Sequence, residues 1–169
     1  MTTTTAATVE LSFTALPAHV RTARLVAASV ARRAGVDEAV LDEVRQAVGE
    51  ACSRAVGLHR RHCPDEPIRV DLVDGPDAFV VRVADRVPAP ADDEEPGDLL
   101  TALDGPDSLA DSLLVDTEDL PSTVGLAVIA GLVEDVEVDN GAAGTTVTMR
   151  WPSGATARVP GQVGPLATT

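Results

Sequence analysis

The feature that most constrains this chain is a stripe of small and branched apolar residues between positions 40 and 56. Val40, Leu41, Val44, Ala47, Val48, Ala51, Cys52, Ala55 and Val56 recur at three- and four-residue steps. That spacing gathers them on one face of an α-helix and leaves the charged residues on the other. Asp37 is placed to cap the helix, and the pattern carries it to about His59, ahead of Pro64. A stripe this long is stable only when a second layer of apolar structure covers it.

The flanking sequence supplies that layer. Residues 8–13 alternate apolar and polar, the period of a half-buried strand. Pro17 suits the first turn of a helix and Gly35 its end, with Val20, Leu25, Val26, Val30 and Ala34 on the expected buried side. Strands are expected near 68–73 and 78–83, joined by the Asp74-Gly75-Pro76-Asp77 turn. Residues 85–107 are rich in Pro, Asp, Glu and Gly and read as a loop, with a weak helix over 108–116. A short apolar helix over 122–133, with Ser122 as cap, precedes strands at 134–139 and 145–151 around a turn over 140–144. The order β-α-α-β-β-(loop)-α-β-β predicts an α+β two-layer sandwich, a mixed or antiparallel sheet with helices on one face. The domain is expected over 8–151, between a flexible tail at 1–7 and a disordered one at 152–169.

Composition removes several functions. Aromatics are 2% of the chain, so nucleic-acid binding by base stacking has little to work with. All 13 basic residues are arginine, which excludes a catalytic or phosphate-binding lysine. The net charge is -14, and 13 units of that excess fall after residue 84. Such a field repels nucleic acid and anionic lipid and attracts basic surfaces. No apolar run reaches the ~20 residues of a membrane span, and the first residues lack the pattern of a signal peptide. A cytoplasmic location is expected.

Four segments carry candidate chemistry. On the long helix, Glu50 and Arg54 stand four apart with the acid first, the favourable order for a helical ion pair. Asp85 opens the segment Asp85-Arg86-Val87-Pro88-Ala89 after a strand, where it either ends that strand or points into a site. Ser122-Thr123-Val124-Gly125-Leu126 begins the apolar helix, and Gly144-Thr145 begins the last strand. His59, His62 and Cys63 cluster at a helix end, but a zinc shell needs about four ligands and no second cluster accompanies them. A polar helix end is the simpler reading, and no metal is expected. Cys52 reads as a small core residue. Ser53 has no evident His/Asp partners, and Trp151 either packs over a sheet edge or anchors an interface.

In this order and spacing the segments resemble the small anti-sigma-factor serine kinases of the GHKL ATPase superfamily, which also holds gyrase and the histidine kinases. The resemblance implies the Bergerat-type ATPase fold, with an acidic lid over 86–119. It also implies a nucleotide site in which Glu50 is the general base and Asp85 accepts from the adenine amino group. Gly125, Leu126, Gly144 and Thr145 would line the nucleotide. Arg54 stands where the family has a magnesium-ligating Asn, and guanidinium has no acceptor atom. Val87 and Ala89 replace two glycines, Thr123 replaces another, and residues 85–119 hold 12 acidic side chains. The implied function is a regulator that binds a sigma factor or an anti-anti-sigma protein of the STAS type, as a homodimer or heterodimer, without kinase activity and without a cofactor. The alternative is an active ATP- and magnesium-dependent serine kinase of the antagonist, with Arg54 replacing the metal charge.

Overall fold

The computed structural model describes residues 6–88 and 122–153, with side chains from 125 onward in the second part. Five strands form one antiparallel sheet: β1 (Ala7–Phe13), β2 (Ile68–Asp74), β3 (Ala78–Ala84), β4 (Asp135–Gly141) and β5 (Gly144–Pro152). Their spatial order is β1-β2-β3-β5-β4. Among the described residues three α-helices accompany them: α1 (Pro17–Arg33), α2 (Leu41–His62) and α3 (Ser122–Leu132). The α+β sandwich read from the sequence is the observed one.

Pairing fixes which side chains meet the helices. Val9, Leu72, Val81, Met149 and Val136 form one row across all five strands. Leu72, Val81 and Met149 are fully buried in that row, whereas the neighbouring row of Glu10, Asp71, Arg82, Thr148 and Glu137 carries the polar side chains. Alternation along each strand therefore makes one apolar and one polar face. The long stripe of α2 covers the apolar face, and of its nine residues only Val40 stays partly exposed.

α1 differs from expectation. Leu25 is 56% exposed and Val26 only partly buried. Val20, Val30 and Ala34 are buried as expected, and Ala23, Ala27, Ala28 and Ala31 join them in place of Leu25. These alanines allow α1 to lie close against α2. Gly35, with φ 84, sits just past the end of α1 in the left-handed conformation that glycine adopts freely.

Asp37 caps a short 3-10 turn, Glu38–Val40, by accepting from the Ala39 amide, and α2 follows directly. α2 runs to His62, a turn beyond the expected end. The last hairpin is tighter than expected, since Gly141 pairs with Gly144 and only Ala142 and Ala143 lie between. Trp151 lies in β5, which is internal to the sheet, so it covers no edge. It is 2% exposed, its ring centroid is 6.2 Å from that of Phe79, and its Nε1 donates to Glu43 Oε1 at 2.7 Å. The expected helix over 108–116, the lid over 86–119 beyond residue 88, the cap at Ser122 and most of both tails fall outside the described residues or side chains; Ala7 of the expected first tail pairs with Asp74 in β1, Pro152 ends β5 and Ser153 is buried.

Candidate functional site

Sheet order creates the site. Because β5 lies between β3 and β4, the end of β3 meets the start of β5. Ala84 pairs with Thr146, and one residue on the Asp85 amide donates to Thr145 O at 2.9 Å. Gly144 sits beside this junction with φ 127, and a side chain there would put its Cβ 2.0 Å from Asp85 O. Only glycine lets the two backbones approach this closely.

The Asp85 carboxylate is buried, its side chain 1% exposed. Its Oδ1 accepts from the amides of Val87 at 3.0 Å and Thr145 at 3.2 Å. Its Oδ2 accepts from Arg54 Nη1 at 2.7 Å. Arg54 reaches it from α2 with 8% of its side chain exposed, and its Nε is buried with no partner among the described residues. Above Arg54 lies α3: a Cβ at Gly125 would be 3.6 Å from Arg54 Cβ. Leu126, half-buried, packs on the core beside it. Arg54, Asp85, Gly125, Gly144 and Thr145, far apart in sequence, thus meet where α2, α3, β3 and β5 converge.

Glu50 does not join them. The helical Glu50–Arg54 pair does not form, because the arginine turns inward to the buried aspartate. A charge-assisted bond in a dry setting outweighs an exposed helical pair, worth only about 0.3–0.5 kcal/mol. Glu50 instead lines an outer groove of about 380 Å³ with Arg24, Asp42, Arg45, Gln46, Gly49 and Ser53. Arg45 pairs with Asp42. Arg24 lies flat over Gly49, where a Cβ would come within 2.9 Å of Arg24 Cδ. Among the described residues neither Arg24 nor Glu50 has a hydrogen-bond or ion-pair partner.

His59 is not a polar helix end but wholly buried. Its Nδ1 is 2.9 Å from Glu66 O, and its Nε2 accepts from the Arg86 amide at 2.9 Å. Among the described residues no three His, Cys, Asp or Glu side chains gather as a metal site. Burial pushes the Cys52 thiol up to about 12, which keeps it protonated and unreactive. Cys63 is also raised, first by desolvation and then by Glu66 and Asp85.

The sequence reading missed the Arg54–Asp85 bond, the His59 bridge and the Arg24–Gly49 contact. Only the last left a trace, since a glycine inside an otherwise regular helix signals close approach.

A five-stranded sheet covered by helices, with a glycine-shaped junction beneath the last helix, defines the ATPase-domain class. The chain belongs to the histidine kinase-like ATPase domain family, whose model matches residues 13–151. Its fold is similar to the crystal structure of the RsbU and RsbW domains of Rv1364c from Mycobacterium tuberculosis, with a TM-score of 0.56 and 19% identity. That match covers 91% of this chain and 35% of the other, so the chain spans about a third of that protein's length. No curated protein matches the chain. Among the described residues no helix is long and apolar enough to cross a membrane.

Proposed function

We propose that this chain is a regulator of the anti-sigma-factor type that binds a sigma factor or an anti-sigma antagonist without transferring phosphate. The observation that carries this reading is the buried Arg54–Asp85 bond. The carboxylate that the family resemblance assigns to adenine already holds a cationic donor from its own chain. The residues do not fit a magnesium nucleotide. Arg54 offers no oxygen to a cation that demands oxygen ligands, and its side chain lies in the space beneath Gly125.

The groove between α1 and α2 supports the binding half of the reading. Arg24 and Glu50, both unpartnered among the described residues, bring one cation and one anion to the same groove, which Gln46 and Ser53 also line. A folded partner with complementary charges can satisfy both. The structurally similar protein carries an RsbW domain, which supports a partner from the sigma-factor pathway.

Calorimetric titration with ATP and magnesium tests the first half, with no binding heat expected at millimolar nucleotide. Co-purification with candidate sigma factors and antagonist proteins at low and high salt tests the second. The kinase alternative would need Glu50, a carboxylate without a side-chain partner among the described residues, to act as general base from the outer groove it lines. Phosphate transfer to an antagonist protein would establish that alternative.

A further inference from the structure

We propose that the outer edge of β4 is a docking site for an extended segment of a partner protein in which apolar and basic residues alternate, bound as a sixth strand. The inference goes beyond the groove between α1 and α2. It rests on the regulator reading for its biological consequence only.

Strand order leaves β4 at one end of the sheet. Its seven residues pair with β5 on one side, and among the described residues no main chain pairs with the other side. In a strand held on one side only, alternate residues turn their N–H and C=O groups to the open edge, a template for an added strand.

The two faces beside that edge differ in chemistry. Val138 lies in one row with Val147, Val83 and Val70, each no more than 2% exposed, yet Val138 itself is 37% exposed. The helix layer therefore stops short of β4. α3, which leads into β4 through Val133 and Glu134, has no charged residue along its length, and Val128 on it is 39% exposed. A side chain entering over Val138 meets apolar surface. On the opposite face Asp135, Glu137 and Asp139 recur at every second residue. Arg150 donates to the first two at 3.2 Å each, so one cation serves three carboxylates. Asp139, and Glu134 ahead of the strand, have no ion-pair partner among the described residues. A side chain entering on this face meets a surplus of negative charge.

Those two faces define the occupant. Successive residues of a strand point to opposite faces. A segment that fits therefore sets every second residue, apolar, beside Val138, and the residues between, basic, beside the carboxylates. A second copy of the chain does not fit. Its β1 edge carries one acid and no base, and its β4 edge repeats the same acids. Like charges across paired strands guard the edge against such self-association. No other segment of the chain fits either, since residues 89–121 contain no basic residue and residues 154–169 contain only Arg158. The strand must come from another protein, with main-chain bonds supplying affinity and the two side-chain series supplying specificity.

The test is an NMR titration of the full chain with a capped peptide of alternating valine and arginine, as long as the seven residues of β4. The expected result is that β4 amides shift and gain protection, with through-space contacts between peptide valines and the Val138 methyls. The same peptide methylated at every main-chain nitrogen keeps both side-chain series but has no donor for the edge. It should bind about tenfold more weakly or worse. A peptide of alternating valine and glutamate should not bind. Val138→Thr keeps a strand-forming shape and should weaken the valine–arginine peptide about threefold through lost apolar contact. Absence of binding, shifts centred away from β4, equal affinity of the methylated peptide, or equal affinity of Val138→Thr each overturns the proposal. ATP with magnesium added to the free protein judges the other claim separately. Nucleotide binding sinks the regulator reading and leaves the β4 edge to be decided by the peptide shifts alone.

Discussion

Arg54 and Asp85, 31 residues apart, share a 2.7 Å hydrogen bond in a setting where neither side chain is more than 8% exposed. A buried pair of this kind is not itself strong evidence of stability, because desolvation offsets much of the attraction. Removing one partner is costly. Arg54→Ala or Asp85→Ala should destabilise the fold by about 3–5 kcal/mol, since each leaves a buried, uncompensated charge. The double variant should cost less than the sum of the two single changes. Urea unfolding followed by Trp151 fluorescence measures all three, and additive costs would show that the two groups are not coupled.

Gly144 and Gly131 should respond oppositely to alanine. At Gly144 the backbone is left-handed, and a Cβ would fall 2.0 Å from Asp85 O. Gly144→Ala should cost more than about 4 kcal/mol, or abolish soluble expression. At Gly131 nothing lies within 4 Å, so Gly131→Ala in α3 should stabilise by about 0.5–1 kcal/mol through helix propensity. Thermal unfolding of the two variants gives the comparison.

Gly49→Ala separates stability from recognition. The new methyl meets Arg24 Cδ at 2.9 Å, and a flexible exposed arginine can swing aside. Stability should hold or rise by up to about 1 kcal/mol, while Arg24 leaves its place over the groove. Partner affinity should fall, as for Arg24→Ala. Unchanged affinity in both variants would remove the groove from the partner surface.

Cys52 gives a pH signature in alkali. Its folded pKa is raised from 9.0 to about 12, so the folded state holds the thiol proton longer than the unfolded chain does. The stabilisation is fully present below 9.0 and is lost as pH rises from there to about 12. Cys52→Ala leaves a small cavity but should flatten the pH dependence of stability in that window. In the native protein a thiol reagent should label half-buried Cys63 first and Cys52 only on unfolding.

Much of the fold was legible because its signals are local. The α2 stripe, the alternation in β1 to β3 and the turn at Asp74–Asp77 each act within a few residues, and the structure realises all of them. Leu25 shows the limit. It fits an apolar pattern in α1, yet the alanines beside it give the closer approach to α2, and it stays 56% exposed. Trp151 is similar, since whether it covers an edge depends on where β5 inserts.

The sequence by itself determined the layers, the faces of α2 and of the strands, and the presence of Asp85 and Gly144 at element ends. Tertiary structure alone decided the partner of Arg54. The sequence offers Glu50 one turn away, and that pairing would have been local and exposed. Placing β5 against β3 puts the buried Asp85 carboxylate beside α2, and a carboxylate out of water binds a guanidinium more strongly than one still hydrated. Helical periodicity is set within one turn of chain, whereas the choice between two anions rests on which strands are neighbours.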